Sequence, residues 1–135
     1  MSAPKIFQGY LAPAKAKLLS VYHKTQIADH QDDAELGRVI VPFGCRLLRV
    51  DYDITVAGSS GTVTDLKVVT GSSTISEVLA PDAGAGQKTG SIDITTPEAL
   101  DYAEGTVFKV TADTSATNTT IDSVALTFVF IPTVP

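Results

Sequence analysis

The sequence predicts an all-β protein, a two-sheet antiparallel sandwich of about eight strands that is similar to a jelly roll. Apolar and polar residues alternate along several short segments, a pattern that is typical of strands with one buried face. Clusters of Gly, Ser, Asp and Pro separate these segments, as in sandwiches and barrels. The apolar residues lean toward Val and Ile, which favour strands, and no segment shows a convincing amphipathic helical pattern.

The N-terminal part is the least regular. Residues 1–13 contain two prolines and a glycine among large apolar side chains, so we expect an extended arm rather than a helix or a central strand. The sandwich domain would then comprise residues 14–135. Residues 14–24 combine good helix formers with strand-like residues, and we favour an extended conformation. Residues 29–35 are polar and acidic, and they are expected to form a turn.

Seven later segments are predicted to be strands: residues 38–41, 48–56, 62–70, 74–79, 91–95, 106–111 and 121–131. The clearest alternation places on one face Leu48, Val50, Tyr52, Ile54 and Val56. Loops are expected at residues 81–90 and 113–119, and residues 97–105 are expected to connect two strands.

The last predicted strand is apolar on both faces. One face carries Val124, Leu126, Phe128 and Phe130, and the other carries Ala125, Thr127, Val129 and Ile131. An exposed strand of this kind would promote aggregation, so its second face must be covered. We predict that a neighbouring subunit covers it; loops or the arm of the same chain are the alternative.

Charge and cysteine content exclude several classes of function. The net charge of −5 argues against nucleic-acid binding, which usually requires a basic excess. No run of roughly 18 apolar residues predicts a membrane span. The first ten residues lack the apolar core of a signal peptide, so we expect a protein that is used without secretion. Cys45 is the single cysteine; it cannot form an intrachain disulfide and is expected to be a small buried side chain.

The sequence offers few groups for chemistry. His23 and His30 are too few for a metal site built from three histidines. The densest carboxylate cluster comprises Asp29, Asp32, Asp33 and Glu35. Its spacing does not match an EF-hand, so we expect a solvated acidic turn rather than a Ca²⁺ site. Asp51 and Asp53 should share the wet face of a strand with Arg49, as a surface charge pattern rather than a catalytic pair. We therefore expect no catalytic site, cofactor, metal or small-molecule substrate.

Several strand-and-turn segments carry a family resemblance: GRVIVP at 37–42, GTVTDLKV at 61–68, EGTVFKV at 104–110, and the closing apolar strand. Together with the short arm, they resemble the small capsid decoration (cement) proteins of tailed bacteriophages. The resemblance implies a jelly roll or related sandwich, often a homotrimer, on the outside of the phage head. Such a protein clamps neighbouring major capsid protein subunits, and it would be made in the host cytoplasm.

Within this hypothesis the arm faces the capsid and the last strand faces its own trimer. The expected capsid contacts are Lys5, Ile6, Phe7, Tyr10, Leu11, Lys15 and Lys17. The expected subunit contacts are Ala125, Thr127, Val129 and Ile131. Three alternatives stay open: a trimeric receptor- or glycan-binding tip or fibre domain of a phage, a small enzyme on a β scaffold, and another structural part of the head or tail.

Overall fold

The structure, a computed structural model, describes residues 17–27, 31–57, 62–82, 84–95, 101–114 and 120–133. These residues form an antiparallel β-sandwich, which confirms the predicted fold class. The strands are β1 (Lys17–Ile27), β2 (Gln31–Ile40), β3 (Cys45–Ala57), β4 (Val63–Thr70), β5 (Ser73–Thr74), β6 (Gly86–Asp93), β7 (Val107–Thr114) and β8 (Thr120–Pro132). Because β5 has only two residues, the sandwich has seven full strands and one short one.

The strand pairing identifies the sandwich as a jelly roll. β1 pairs with β8, β2 with β7, β3 with β6 and β4 with β5, as in one long hairpin whose two arms run side by side. Rolling up that hairpin adds the β3–β8 and β4–β7 pairs. The resulting sheets have the orders β1-β8-β3-β6 and β2-β7-β4-β5. This arrangement of two four-stranded sheets is the jelly-roll solution to the problem of packing eight antiparallel strands.

The core lies between the two sheets and is rich in aromatic side chains from β7 and β8. Phe108, Phe128 and Phe130 are fully buried, and the ring centroids of Phe128 and Phe130 lie 6.4 Å apart in a stacked arrangement. Val124 and Leu126 extend the same inward face of β8, as the alternation predicts. Burial of side chains of this size supplies the main favourable term in folding.

Residues at the N-terminal end of the described region form a strand and not a helix, which confirms the extended conformation expected for residues 17–24. The arm, residues 1–13, lies outside the described residues, so its boundary stays a prediction. The acidic turn expected at residues 29–35 is wrong from residue 31 onward, because β2 begins at Gln31. Two register shifts interrupt β2 on either side of Ala34 and Glu35, and Asp33 has a positive φ of 51°. These irregularities break the alternation by which a strand is recognised.

Three other segments also depart from the prediction. Residues 74–79 do not form a continuous strand; β5 ends at Thr74, and Val78 is 53% exposed. The loop expected at residues 81–90 is shorter, since β6 begins at Gly86. β7 likewise continues to Thr114, inside the loop that we expected from residue 113. β5 and β6 are edge strands with polar or glycine residues, and they lack the apolar alternation of a half-buried strand.

Candidate functional site

An apolar patch lies on the outer face of the β1-β8-β3-β6 sheet. It consists of Leu18 on β1, Val129 on β8 and Leu48 on β3. Leu18 pairs directly with Val129, and a register shift in β3 between Leu47 and Arg49 places Leu48 beside the same residue. Leu18 is 62% exposed and Leu48 is 37% exposed. Val129, between them, is only 4% exposed, so the two leucines supply most of the accessible apolar surface.

The β8 residues predicted to contact a subunit all belong to this outer face. Ala125, Thr127 and Ile131 are half-buried in the isolated chain, whereas Val129 is buried. The hydroxyls of Thr127 and Ser20 lie 3.3 Å apart across the β1–β8 pair and share a hydrogen bond. The outer face of β8 is therefore apolar around Val129 and carries both polar and apolar side chains around Thr127.

The sequence pattern predicts the exposure of neither leucine in the apolar patch. The alternation from Val50 to Val56, continued back by one step, predicts that Leu48 lies on the buried face. The bulge reverses the orientation at that step, since one extra residue in a strand turns the next side chain to the other face. The doublet of Leu47 and Leu48 was the signal available, because two adjacent apolar residues cannot both follow a period of two. Leu18 lay in the segment whose conformation was ambiguous.

The chain enters the sheet beside this patch. Lys17 is the first residue of β1 and pairs with Phe130, one step from the Leu18–Val129 pair. The other residues predicted to contact a capsid, Lys5 to Lys15, lie outside the described residues. Two ion pairs are near the patch on β3: Arg49 with Asp51 at 3.0 Å, and Arg46 with Asp101 at 2.9 Å. Both ion pairs are exposed to solvent, so they contribute little to the stability of the fold. Their charged groups lie beside the apolar patch, where a partner chain could contact them.

A polar cavity of about 370 Å³ opens at the opposite edge of the same sheet. It lies between β3, the start of β6 and the segment that precedes β6. Its lining residues are Tyr52, Ala80, Pro81, Asp82, Gln87, Lys88 and Thr89. Tyr52 was predicted to face the core; it packs against the core only in part and reaches the cavity.

Three carboxylates converge on the outer face of the other sheet. One oxygen from each of Asp33, Asp65 and Asp113 lies within 4.8 Å of the others. The ammonium of Lys67 donates hydrogen bonds to Asp33 at 3.0 Å and to Asp65 at 2.7 Å. The hydrogen bond to Asp65 raises the pKa of Lys67 above its usual value against the lowering effect of burial. Lys67 therefore already supplies a positive charge to this cluster.

Three further candidates for chemistry are held in structural contacts: Asp51, Asp53 and Cys45. The carboxylate of Asp51 accepts from Ser91 at 2.6 Å as well as from Arg49, and Asp53 accepts from Gln87 at 3.0 Å. Cys45 is fully buried, as expected. Burial, with a smaller contribution from the charge of Asp101, raises the pKa of its thiol to about 11. Because the thiolate is the reactive form, this thiol is inert at neutral pH.

No known family model matches this chain, and no curated protein resembles it significantly in sequence. Over the part of the chain that the structure describes, no helix has both the length and the apolar character needed to cross a bilayer.

Proposed function

We propose that this chain is a structural virion protein that decorates the outside of a phage head. In this proposal a homotrimer binds neighbouring major capsid subunits and clamps them together without catalysis. The observation that carries the proposal is the apolar patch, two exposed leucines on a sheet face beside the point where the N-terminal residues enter β1.

The apolar patch supports association with other protein chains. An isolated exposed leucine is common on protein surfaces, but Leu18, Val129 and Leu48 form a row across three adjacent strands. Covering both leucines would remove apolar surface from water at about 25 cal/mol per Å². The half-buried residues Thr127 and Ile131 continue the row along β8, as a contact between subunits would require.

The arm supplies the second part of the proposal. Residues 1–16 precede β1 and include Ile6, Phe7, Tyr10 and Leu11, which would anchor an extended segment on a partner. Ordering such a segment costs conformational entropy, which apolar anchors and several linked copies would offset. The jelly-roll fold is compatible with this role and with others, because one fold hosts many functions.

The proposal is tested first on heads of the phage that encodes the chain. Heads stripped of this protein are mixed with the purified full-length chain or with a variant that lacks residues 1–13. We expect the full-length chain to bind in a regular array visible by electron cryo-microscopy, and the truncated chain to bind less. Absence of binding by the full-length chain would refute the decoration function, and equal occupancy would refute the role of the arm.

The apolar patch is tested separately by sedimentation. The double variant Leu18→Ser, Leu48→Ser should be monomeric at concentrations where the unmodified protein is a trimer. Ile40→Ser is the matched control, because Ile40 is 63% exposed but lies on β2 in the other sheet. If the control dissociates as readily as the double variant, the patch is not the subunit contact.

A further inference from the structure

The polar cavity beside β6 has the properties of a carbohydrate site. We propose that it binds one uncharged sugar residue of a glycan, with Tyr52, Asp82 and Lys88 as the main contacts. This function is separate from capsid decoration, and it does not depend on that proposal. The alternation of Tyr52 with core residues predicts a buried side chain here and no ligand site.

Tyr52 reaches the cavity because its cross-strand partner is a glycine. Tyr52 on β3 pairs with Gly90 on β6. A Cβ atom on residue 90 would lie 2.8 Å from the Tyr52 hydroxyl and 3.0 Å from the ring carbon that bears it. The missing side chain therefore lets the tyrosine pass over β6 toward the sheet edge. A tyrosine whose ring is partly buried and whose hydroxyl reaches solvent is a common contact for ligands that have both polar and apolar groups.

Two charged groups at the cavity are not used by the fold. Within the described residues, neither the Asp82 carboxylate nor the Lys88 ammonium forms a hydrogen bond or an ion pair. Gln87 donates its amide N–H groups to Asp53, which leaves its carbonyl oxygen as an acceptor. Burial and then the nearby negative charge of Asp82 raise the pKa of Tyr52, so this hydroxyl stays a hydrogen-bond donor.

Charge and volume select the class of ligand. The charged residues of the lining, Asp82 and Lys88, together carry no net charge, so a charged ligand of either sign would meet one repulsive partner. Glu77, whose charge also acts on Tyr52, accepts from the N–H of Asp93 outside the lining. An apolar ligand would leave the carboxylate, the ammonium and the hydroxyls of Tyr52 and Thr89 without water or partners, which is costly. A sugar ring offers hydroxyls to these groups and a C–H face to the tyrosine. The volume of about 370 Å³ suits a single ring.

The test is saturation-transfer NMR on the full-length protein with a panel of neutral monosaccharides: glucose, galactose, mannose, rhamnose and N-acetylglucosamine. We expect transfer to at least one sugar, with a dissociation constant on the order of 1 mM for so open a site. Asp82→Ala and Lys88→Ala should each weaken that binding about tenfold. Lys109→Ala is the matched control, since Lys109 is on β7 of the other sheet, and binding should be unchanged.

Tyr52→Phe keeps the ring and removes only the hydroxyl, so it should also weaken binding while the thermal midpoint stays near that of the unmodified protein. The trimer-disrupting variant Leu18→Ser, Leu48→Ser should bind the sugar normally, which separates this result from the decoration proposal. The sugar site is refuted if no sugar shows saturation transfer at a concentration of about 10 mM, ten times the expected dissociation constant. It is equally refuted if transfer is the same in the Asp82, Lys88 and control variants, because the sugar would then bind elsewhere.

Discussion

At the β4 edge of the second sheet, the buried side chain of Ser76 forms a hydrogen bond that a longer β5 would otherwise supply. Replacing Ser76 with alanine should lower the free energy of unfolding measurably. The N–H of Val68 on β4 donates to the hydroxyl of Ser76 at 2.8 Å, and the Val68 carbonyl accepts from the N–H of Ile75 at 3.0 Å. The Ser76 hydroxyl in turn donates to the Glu77 carbonyl at 2.8 Å. Since β5 ends at Thr74, this side chain satisfies a backbone group that a longer strand would have paired.

The magnitude follows from burial. Val68 is fully buried and Ser76 is only 6% exposed, so water cannot replace the hydroxyl in the folded protein. Ser76→Ala leaves the Val68 N–H without an acceptor, and the cost of one such group is about 1–3 kcal/mol. With an urea m-value of about 2 kcal/mol per M, the unfolding midpoint should fall by about 0.5–1.5 M at an unchanged m-value.

Ser91→Ala is the control for this measurement. Ser91 also donates a short hydrogen bond, at 2.6 Å to Asp51, but both residues are accessible to water. Its loss should change the free energy of unfolding by no more than about 0.5 kcal/mol. If Ser76→Ala and Ser91→Ala shift the urea midpoint equally, Val68 finds another partner and our account of this edge is wrong.

Three further predictions concern the core, the carboxylate cluster and the thiol. Phe128→Ala should lower the free energy of unfolding by about 3–5 kcal/mol in urea titrations, and Phe128→Leu by much less, because the ring is fully buried against Phe130. Lys67→Met leaves three carboxylates within 4.8 Å of one another, so it should lower the free energy of unfolding in low salt. The loss should be smaller in 1 M NaCl, where the Debye length of about 3 Å screens the repulsion. An equal loss of free energy at both salt concentrations would contradict this. The Cys45 thiol keeps its proton to about pH 11 when folded, whereas an unfolded thiol with the ordinary pKa of 9.0 loses it earlier. The free energy of unfolding should therefore fall as pH rises from about 9 to about 11. Cys45→Ala should flatten that part of the pH profile.

The sequence predicts most accurately those strands that have one face against the core and one in water. In β3, Val50, Ile54 and Val56 are buried as the alternation requires, and in β8 the inward face from Val124 to Phe130 is buried. A period of two reports which face of the sheet is buried, so it succeeds where one face alone is apolar. β2 and β6 are edge strands with polar and glycine residues, and there the apolar signal marks only part of each strand, residues 38–41 and 91–95 in the prediction.

The candidate sites were harder to predict because each depends on a contact between strands far apart in sequence. The apolar patch needs Leu18 on β1 and Leu48 on β3 to meet beside Val129, and it needs the bulge that turns Leu48 outward. The cavity needs Gly90 opposite Tyr52. Sequence alone shows neither the register that makes these pairs nor the position of a bulge, since a shift of one residue exchanges the two faces of a strand.

The two proposed surfaces lie at different places on one sheet, and this placement has a functional consequence. The apolar patch lies on β1, β8 and the start of β3, whereas the cavity lies at the β6 edge and is reached by Tyr52 of β3. Subunits that cover the patch would therefore leave the β6 edge in solvent. A trimer on a capsid would then present three cavities at fixed spacing, and many trimers would present a regular array. A single sugar contact near 1 mM is too weak to hold a particle, but simultaneous contacts raise overall affinity by factors of about 10² to 10⁴ without any new interaction. We therefore expect one chain to bind the sugar weakly and a decorated head to bind a sugar-coated surface strongly, because the same contact is repeated many times on the head.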